Sequence, residues 1–121
     1  MFGAVRLLRT AQELLGRGWT QGADARDRDG IPVPGWSERA VCWSLLGALV
    51  AVLEAQSEAT GDDAAISDLA RACALLAETL DVGSLETWND EPGRTQSEVI
   101  EAVRRAASAD EPPGPYEPSL N

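Results

Sequence analysis

The chain has 121 residues and a net charge of −10, and its ten basic residues are all arginine, with no lysine and no histidine. That inventory excludes a Ser-His-Asp triad, a Cys-His pair, a Schiff-base or P-loop lysine and any histidine metal site built within one chain. A hydrophobic content of 44% is enough for the core of one domain, while the acidic excess makes free nucleic acid a poor partner, because phosphate binding needs clustered positive charge.

The periodicity predicts a first amphipathic helix over Phe2–Leu15. Ala4, Leu8, Ala11 and Leu15 fall at helical spacing, Val5, Leu7 and Leu14 widen the stripe, and Gly16 and Gly18 are natural stops. Arg6 and Arg9 interrupt the apolar run, so it does not read as a signal peptide. Residues 19–36 change character. Asp29-Gly30 is a turn dipeptide, and it predicts a hairpin of roughly Ala23–Arg28 against Ile31–Val33. Pro32 and Pro34 confine it to an edge, since proline has no N–H to give a ladder. Trp19 and Trp36 bracket the segment and are expected to fold it back onto the helices.

Ser37 is the expected N-cap of a central helix through Ala40–Leu53. This stretch is apolar on almost every side, as a buried helix is, and Gly47 and Ala48 leave room for another helix to approach. Its fourteen residues fall short of the about 20 that a membrane span needs. Gly61-Asp62-Asp63 marks a turn and a new helix running to about Leu80, with Ile66, Leu69, Cys73, Leu76 and Leu80 as its stripe. Asp81–Arg94 reads as a loop or short helical turn. Thr95 opens the last helix with a Thr95/Glu98 capping box, and Val99, Val103 and Ala106 form its apolar face, widened by Ile100 and Ala102. After Ala109 periodicity is lost among prolines. The expected organisation is an all-α bundle of about four helices over 1–109, with a small β-hairpin between helices 1 and 2. A mobile acidic Pro-rich tail is expected over 110–121.

Two cysteines, Cys42 and Cys73, are too few for a disulfide scaffold, and both sit in apolar surroundings where a thiol behaves as a small hydrophobe. Cys42 as a nucleophile would need an arginine or a helix N-terminus to lower its pKa. Asp27-Arg28-Asp29-Gly30 resembles part of a calcium loop, but the alignment places Ala25 and Trp36 where oxygen ligands are required, so no metal is expected. Arg26 and Arg28 are expected to pair with the neighbouring aspartates. No spacing singles out a catalytic pair of carboxylates.

The densest group of functional side chains is Thr87–Thr95, with Trp88, Asn89, Asp90 and Arg94 at a helix N-terminus. Such an end offers free N–H groups, and Arg94 can fork onto a carboxylate or phosphate. The structural alternative is that Asn89 and Asp90 only form the turn, Trp88 plugs the core and Arg94 pairs with Asp90.

The chain resembles a family of small uncharacterised proteins found in actinobacteria and some of their phages. The resemblance rests on Gly18-Trp19-Thr20-Gln21-Gly22-Ala23, Ala25-Arg26-Asp27 with Asp29-Gly30 and Val33, and Ala40 through Leu49. It continues in Trp88-Asn89-Asp90, Pro92-Gly93-Arg94-Thr95 and Glu98-Val99, covering roughly residues 18–107. The family pattern often has a cysteine after the tryptophan of the central segment, where this chain has Ser44. The resemblance brings no activity with it. It implies that the tryptophan-containing hairpin and the W-N-D loop belong to one unit.

Two functions follow as expectations. The first is a small acidic cytoplasmic binding or regulatory protein, leaning away from an enzyme and without cofactor. It would contact another protein with a basic surface, as an accessory factor or a phage-derived inhibitor would, and neither nucleic acid nor membrane. The second is a small-molecule-binding protein or small enzyme. Its pocket would lie between the Trp19 hairpin and the Trp88-Asn89-Asp90 loop, with Arg94 as a further polar contact.

Overall fold

The structure is a computed structural model that describes residues 3–60 and 62–110, with side chains described except at 58–60, 62 and 110. The expectation for the tail therefore lies outside the described residues beyond Asp110. The fold is a mostly helical bundle with a small antiparallel sheet at one end, as the hydrophobic periodicity predicts.

Helix α1 (Gly3–Arg17) buries Ala4, Leu7, Leu8, Ala11 and Leu15, the stripe read from the sequence. It packs against α5 (Gln96–Asp110), α2 (Leu45–Thr60) and α3 (Asp62–Leu80). From α5 come Val99, Ala102, Val103, Ala106 and Ala107, all buried. Leu7, Leu8, Leu15, Leu45, Leu49 and Leu76 are fully buried, and each such leucine contributes at most about 1.5–3 kcal/mol. The capping box forms as expected: the Thr95 N–H donates to Glu98 Oε1 at 3.0 Å, and the Glu98 N–H donates to Thr95 Oγ1 at 3.2 Å.

The sheet has three strands in the order β2-β1-β3, with β1 at Ala25–Arg26, β2 at Pro32–Val33 and β3 at Cys42–Trp43. Ala25 pairs with Val33 on one side and Trp43 on the other, and these three residues pack into the core. The neighbouring row, Pro32, Arg26 and Cys42, points away from the core by the pleat alternation. Both edges are closed to further strands. Along β3, the Trp43 N–H donates to Gly18 O and the Thr20 N–H donates to Trp43 O. Along β2, the outward backbone positions belong to Pro32 and Pro34, which offer no N–H.

Several expectations are corrected by these contacts. The central helix starts at Leu45, and Cys42–Trp43 is a strand. The N–H groups of Val41, Trp43 and Ser44 are taken by Arg26 O, Gly18 O and Asp24 O, so residues 41–44 are held by distant backbone. Ser37 caps no helix; its Oγ accepts from the Arg39 N–H in a turn. Ser44 takes the capping role, with its Oγ accepting from the Gly47 N–H at 2.9 Å. The helix continues to Thr60, and Leu46, Val50, Ala51 and Leu53 are only half-buried. The close approach at Gly47 is made by a loop and not by a helix: a Cβ there would lie 1.9 Å from Asp24 O. In α3 the buried positions are Ala65, Ala72, Leu75 and Leu76, while Ile66 is 57% exposed, because small residues admit the neighbouring helices more closely. Trp36 is 60% exposed and does not fold its segment down. Arg26 forms no ion pair with its neighbours. It donates from Nε to Thr20 Oγ1, from Nη1 to Gly30 O and from Nη2 to Gln21 O, which fixes the hairpin to the segment before it.

Candidate functional site

The W-N-D loop is fixed at both ends by local chemistry. Ser84 Oγ accepts from the Thr87 N–H at 3.1 Å and caps the short helix α4 (Leu85–Asn89). Past Asp90 the chain turns through Glu91-Pro92-Gly93-Arg94, closed by the Arg94 N–H on Glu91 O at 3.0 Å. Proline at the second turn position and Gly93 at φ +87° at the third define a type II turn, which needs a residue tolerant of positive φ. The capping box of α5 begins immediately afterwards.

Asn89 is the centre of the site and is 1% exposed. Its Oδ1 accepts from the Trp19 indole N–H at 2.7 Å and from the Leu45 N–H at 3.0 Å. Its Nδ2 donates to Thr20 O at 3.2 Å and to Asp90 Oδ1 at 3.0 Å. A side-chain amide has two lone pairs and two N–H donors, so every position on Asn89 is filled from within the chain. The Leu45 contact is a cap in all but sequence position: that N–H belongs to the first turn of α2, where backbone donors lack helical partners. Asn89 thus ties the Trp19 segment, the start of α2 and the end of α4 to one point.

Two further residues complete the clasp. Gln21 Nε2 donates to Asn89 O and to Glu91 O, both at 2.9 Å. Asp90 Oδ1 accepts from the Gly22 N–H at 3.0 Å. Composition had not singled out Gln21 as a site residue; the only signal was its place in the W-T-Q-G run, some seventy positions before its partners.

The candidate residues therefore fall into two groups. Trp19, Asn89 and Asp90 are brought together and bonded in one network. Trp88 and Arg94 form a separate pair: the guanidinium lies 3.9 Å from the indole centroid, and Arg94 Nε donates to Trp88 O at 2.9 Å. Arg94 Nη1 is 3.7 Å from Glu98 Oε1, so its carboxylate partner is Glu98. Trp88 is partly buried against the core. The space expected between the Trp19 hairpin and the loop is spanned by direct hydrogen bonds, which a ligand there would have to break.

The thiols and the charges lie elsewhere. Cys42 is on β3 with its Sγ 3.9 Å from Arg26 O, and burial pushes the Cys73 thiol on α3 above the ordinary range. Glu101 is held below the usual carboxylate range by its hydrogen bond to Arg104, whose own pKa is raised in return. The acidity is unevenly distributed. Residues 54–91 contain ten acidic side chains and one arginine, whereas residues 1–53 contain five acidic residues and six arginines. Glu54, Asp63, Glu78, Asp81, Glu86, Asp90 and Glu91 are all exposed.

The chain belongs to a family of unknown function, DUF6197, whose model matches residues 3–109. No curated protein and no solved structure matches it. Among the described residues, no helix is long and apolar enough to cross a membrane.

Proposed function

We propose that this protein is a small acidic cytoplasmic binding or regulatory protein that acts by contacting another protein through a basic surface of that partner. The observation that carries the reading is the concentration of charge: ten acidic residues and one arginine over 54–91, seven of the ten on the end of α2, α3 and α4 and three (Asp81, Asp90 and Glu91) in the segments flanking α4. Such a surface raises the encounter rate with a positively charged partner and repels nucleic acid. A nucleic-acid-binding protein presents the complementary face. In the form that the actinobacterial and phage resemblance suggests, the protein would cover that face in a host or defence factor and block it. The clasp supports this reading indirectly. Asn89 keeps no hydrogen-bonding position for a ligand, and Arg94 is stacked on Trp88 and bonded to its carbonyl, so the loop serves to hold the scaffold.

The test is affinity capture from extract of the source cell, followed by titration of the captured protein at two ionic strengths. One stoichiometric partner is expected, its affinity falling as salt rises and falling again in a variant combining Asp63→Asn, Glu78→Gln, Asp81→Asn and Glu86→Gln. Saturable changes in tryptophan fluorescence with a small molecule, with no stoichiometric protein retained, would overturn the reading in favour of the pocket. So would a partner whose affinity ignores both salt and the neutralised variant.

A further inference from the structure

Glycine follows an aspartate or asparagine at one place in the chain, Asp29-Gly30. That dipeptide carries a reaction of its own. The backbone nitrogen of the second residue can attack the side-chain carboxyl carbon of the first, and any side chain on the second residue crowds the approach. Gly30 has none, and a Cβ built there would meet nothing within 4 Å, so the surroundings add no crowding. Every other aspartate is followed by a residue with a side chain. Asp29 and Gly30 are both exposed at the tip of the hairpin between β1 and β2.

The bonds of this hairpin hold the reacting nitrogen. Asp27 and Ile31 face each other across the loop, with the Asp27 N–H donating to Ile31 O at 2.9 Å. The Gly30 N–H donates to Asp27 O at 2.9 Å, and Gly30 takes φ +83°, which glycine adopts without steric cost. Asp27 Oδ1 accepts from the Asp29 N–H and the Ile31 N–H, each at 2.9 Å. Arg26 Nη1 donates to Gly30 O at 3.0 Å. The Gly30 nitrogen is therefore engaged while the loop is closed, and attack requires the loop to open. These side-chain bonds are exposed to water, so the loop opens without unfolding the bundle.

We infer that Asp29 is a modification site at which aspartate isomerises to isoaspartate, with Asp27 as the positioning residue that restrains it. In the open loop the Gly30 nitrogen bonds to Cγ of Asp29. The carboxyl hydroxyl leaves as water, taking the proton that the nitrogen gives up, and a succinimide ring closes. One water then adds to the ring and breaks a carbon–nitrogen bond. Addition at Cγ restores aspartate; addition at the backbone carbonyl gives isoaspartate. In the second product the main chain runs through the former side chain and is longer by one carbon, so the bonds around Asp27 lose their spacing. Asp29 lies outside the acidic 54–91 segment, and its reaction needs no partner protein.

Prolonged incubation of the full chain at neutral pH and physiological temperature tests this. Isoaspartate is counted by methyl transfer with an isoaspartyl methyltransferase and located by proteolytic mapping with electron-transfer fragmentation. It should accumulate at residue 29 ahead of every other aspartate. Asp27→Ala should speed it by about tenfold, equivalent to about one to two exposed hydrogen bonds. Asp27→Asn keeps an Oδ1 acceptor and should return the rate toward that of the parent. Circular dichroism and thermal melting of both variants should match the parent, which separates an opened loop from a lost fold. Folded parent chain without isoaspartate at residue 29, while urea-unfolded chain accumulates it, overturns the inference. So does isoaspartate spread evenly over the aspartates, or an equal rate at residue 29 in Asp27→Ala and the parent.

Discussion

Replacing Asn89 by alanine should unfold the loop junction and much of the stability with it. The Leu45 N–H, buried at the first turn of α2, loses its acceptor, and leaving a buried donor unsatisfied costs about 1–3 kcal/mol. The Trp19 indole is only partly buried and recovers some hydration, so its lost bond counts for about 0.5–1.5 kcal/mol, and the bond to Thr20 O for a similar amount. The total is about 2–6 kcal/mol, a large part of the roughly 5–15 kcal/mol that holds a domain folded. At about 4 °C per kcal/mol for a domain near this size, the melting temperature should fall by about 8–24 °C. Urea unfolding followed by circular dichroism supplies the free energy, provided the slope with denaturant is unchanged. Asn89→Leu separates the causes. It keeps the branched side-chain shape with added bulk and still strands the Leu45 N–H, so it should fall at least as far as the alanine variant. A melting temperature within about 2 °C of the parent for Asn89→Ala would refute the clasp, since that drop corresponds to less than one exposed hydrogen bond. Recovery in Asn89→Leu alone would show that filling space, and not hydrogen bonding, is what the residue supplies.

Other perturbations test neighbouring parts of the argument. Gly47→Ala places a Cβ against Asp24 O and should destabilise the fold, whereas Gly16→Ala near the end of α1 meets nothing within 4 Å and should stabilise it by about 0.5–1 kcal/mol, both read from urea midpoints. Trp43→Ala should cost about 3–5 kcal/mol, because the indole is 8% exposed and holds the 34–37 turn through Gly35 O. Glu101→Gln should leave the melting temperature unchanged at neutral pH. The depressed carboxyl contributes stability above its unfolded pKa and loses it as pH falls, but the pair is fully exposed to solvent. Cys73 should alkylate more slowly than an unstructured thiol at pH 8, by mass spectrometry, because burial keeps it protonated.

Features decided by near neighbours were legible in the sequence. The Thr95/Glu98 box, the Asp29-Gly30 turn, the α1 stripe and the edge position of Pro32 all follow from residues a few places apart. Strand β3 was not legible, because Ala40–Trp43 runs unbroken into an apolar helix and no period separates the two. Its conformation is decided by carbonyls of Gly18, Asp24 and Arg26, which lie far back in the chain. On α3, Leu69, Cys73, Leu76 and Leu80 of the expected stripe do face the core, and only Ile66 departs from it, for a related reason. Hydropathy favours Ile66 over Ala65, but close helix packing selects the smaller side chain. At the candidate site, composition identified the cluster around Asn89 without revealing its direction. Whether an asparagine faces a ligand or its own chain depends on which atoms occupy its four hydrogen-bonding positions, and those here come from Trp19, Thr20, Leu45 and Asp90.

The clasp also bears on how the acidic stretch is held. The Trp19 segment leads into β1 and covers the edge of β3, while Asn89 caps α2, whose far end begins the acidic stretch. Glu54 on α2, Glu86 on α4 and Asp90 beside it are thus mounted on elements that meet at a single buried amide. A rigid mount would lower the ordering cost of binding at the proposed acidic surface, because loops already fixed by internal bonds lose little freedom on contact. The residues with the richest chemistry therefore bond to their own chain and hold the segments around them still.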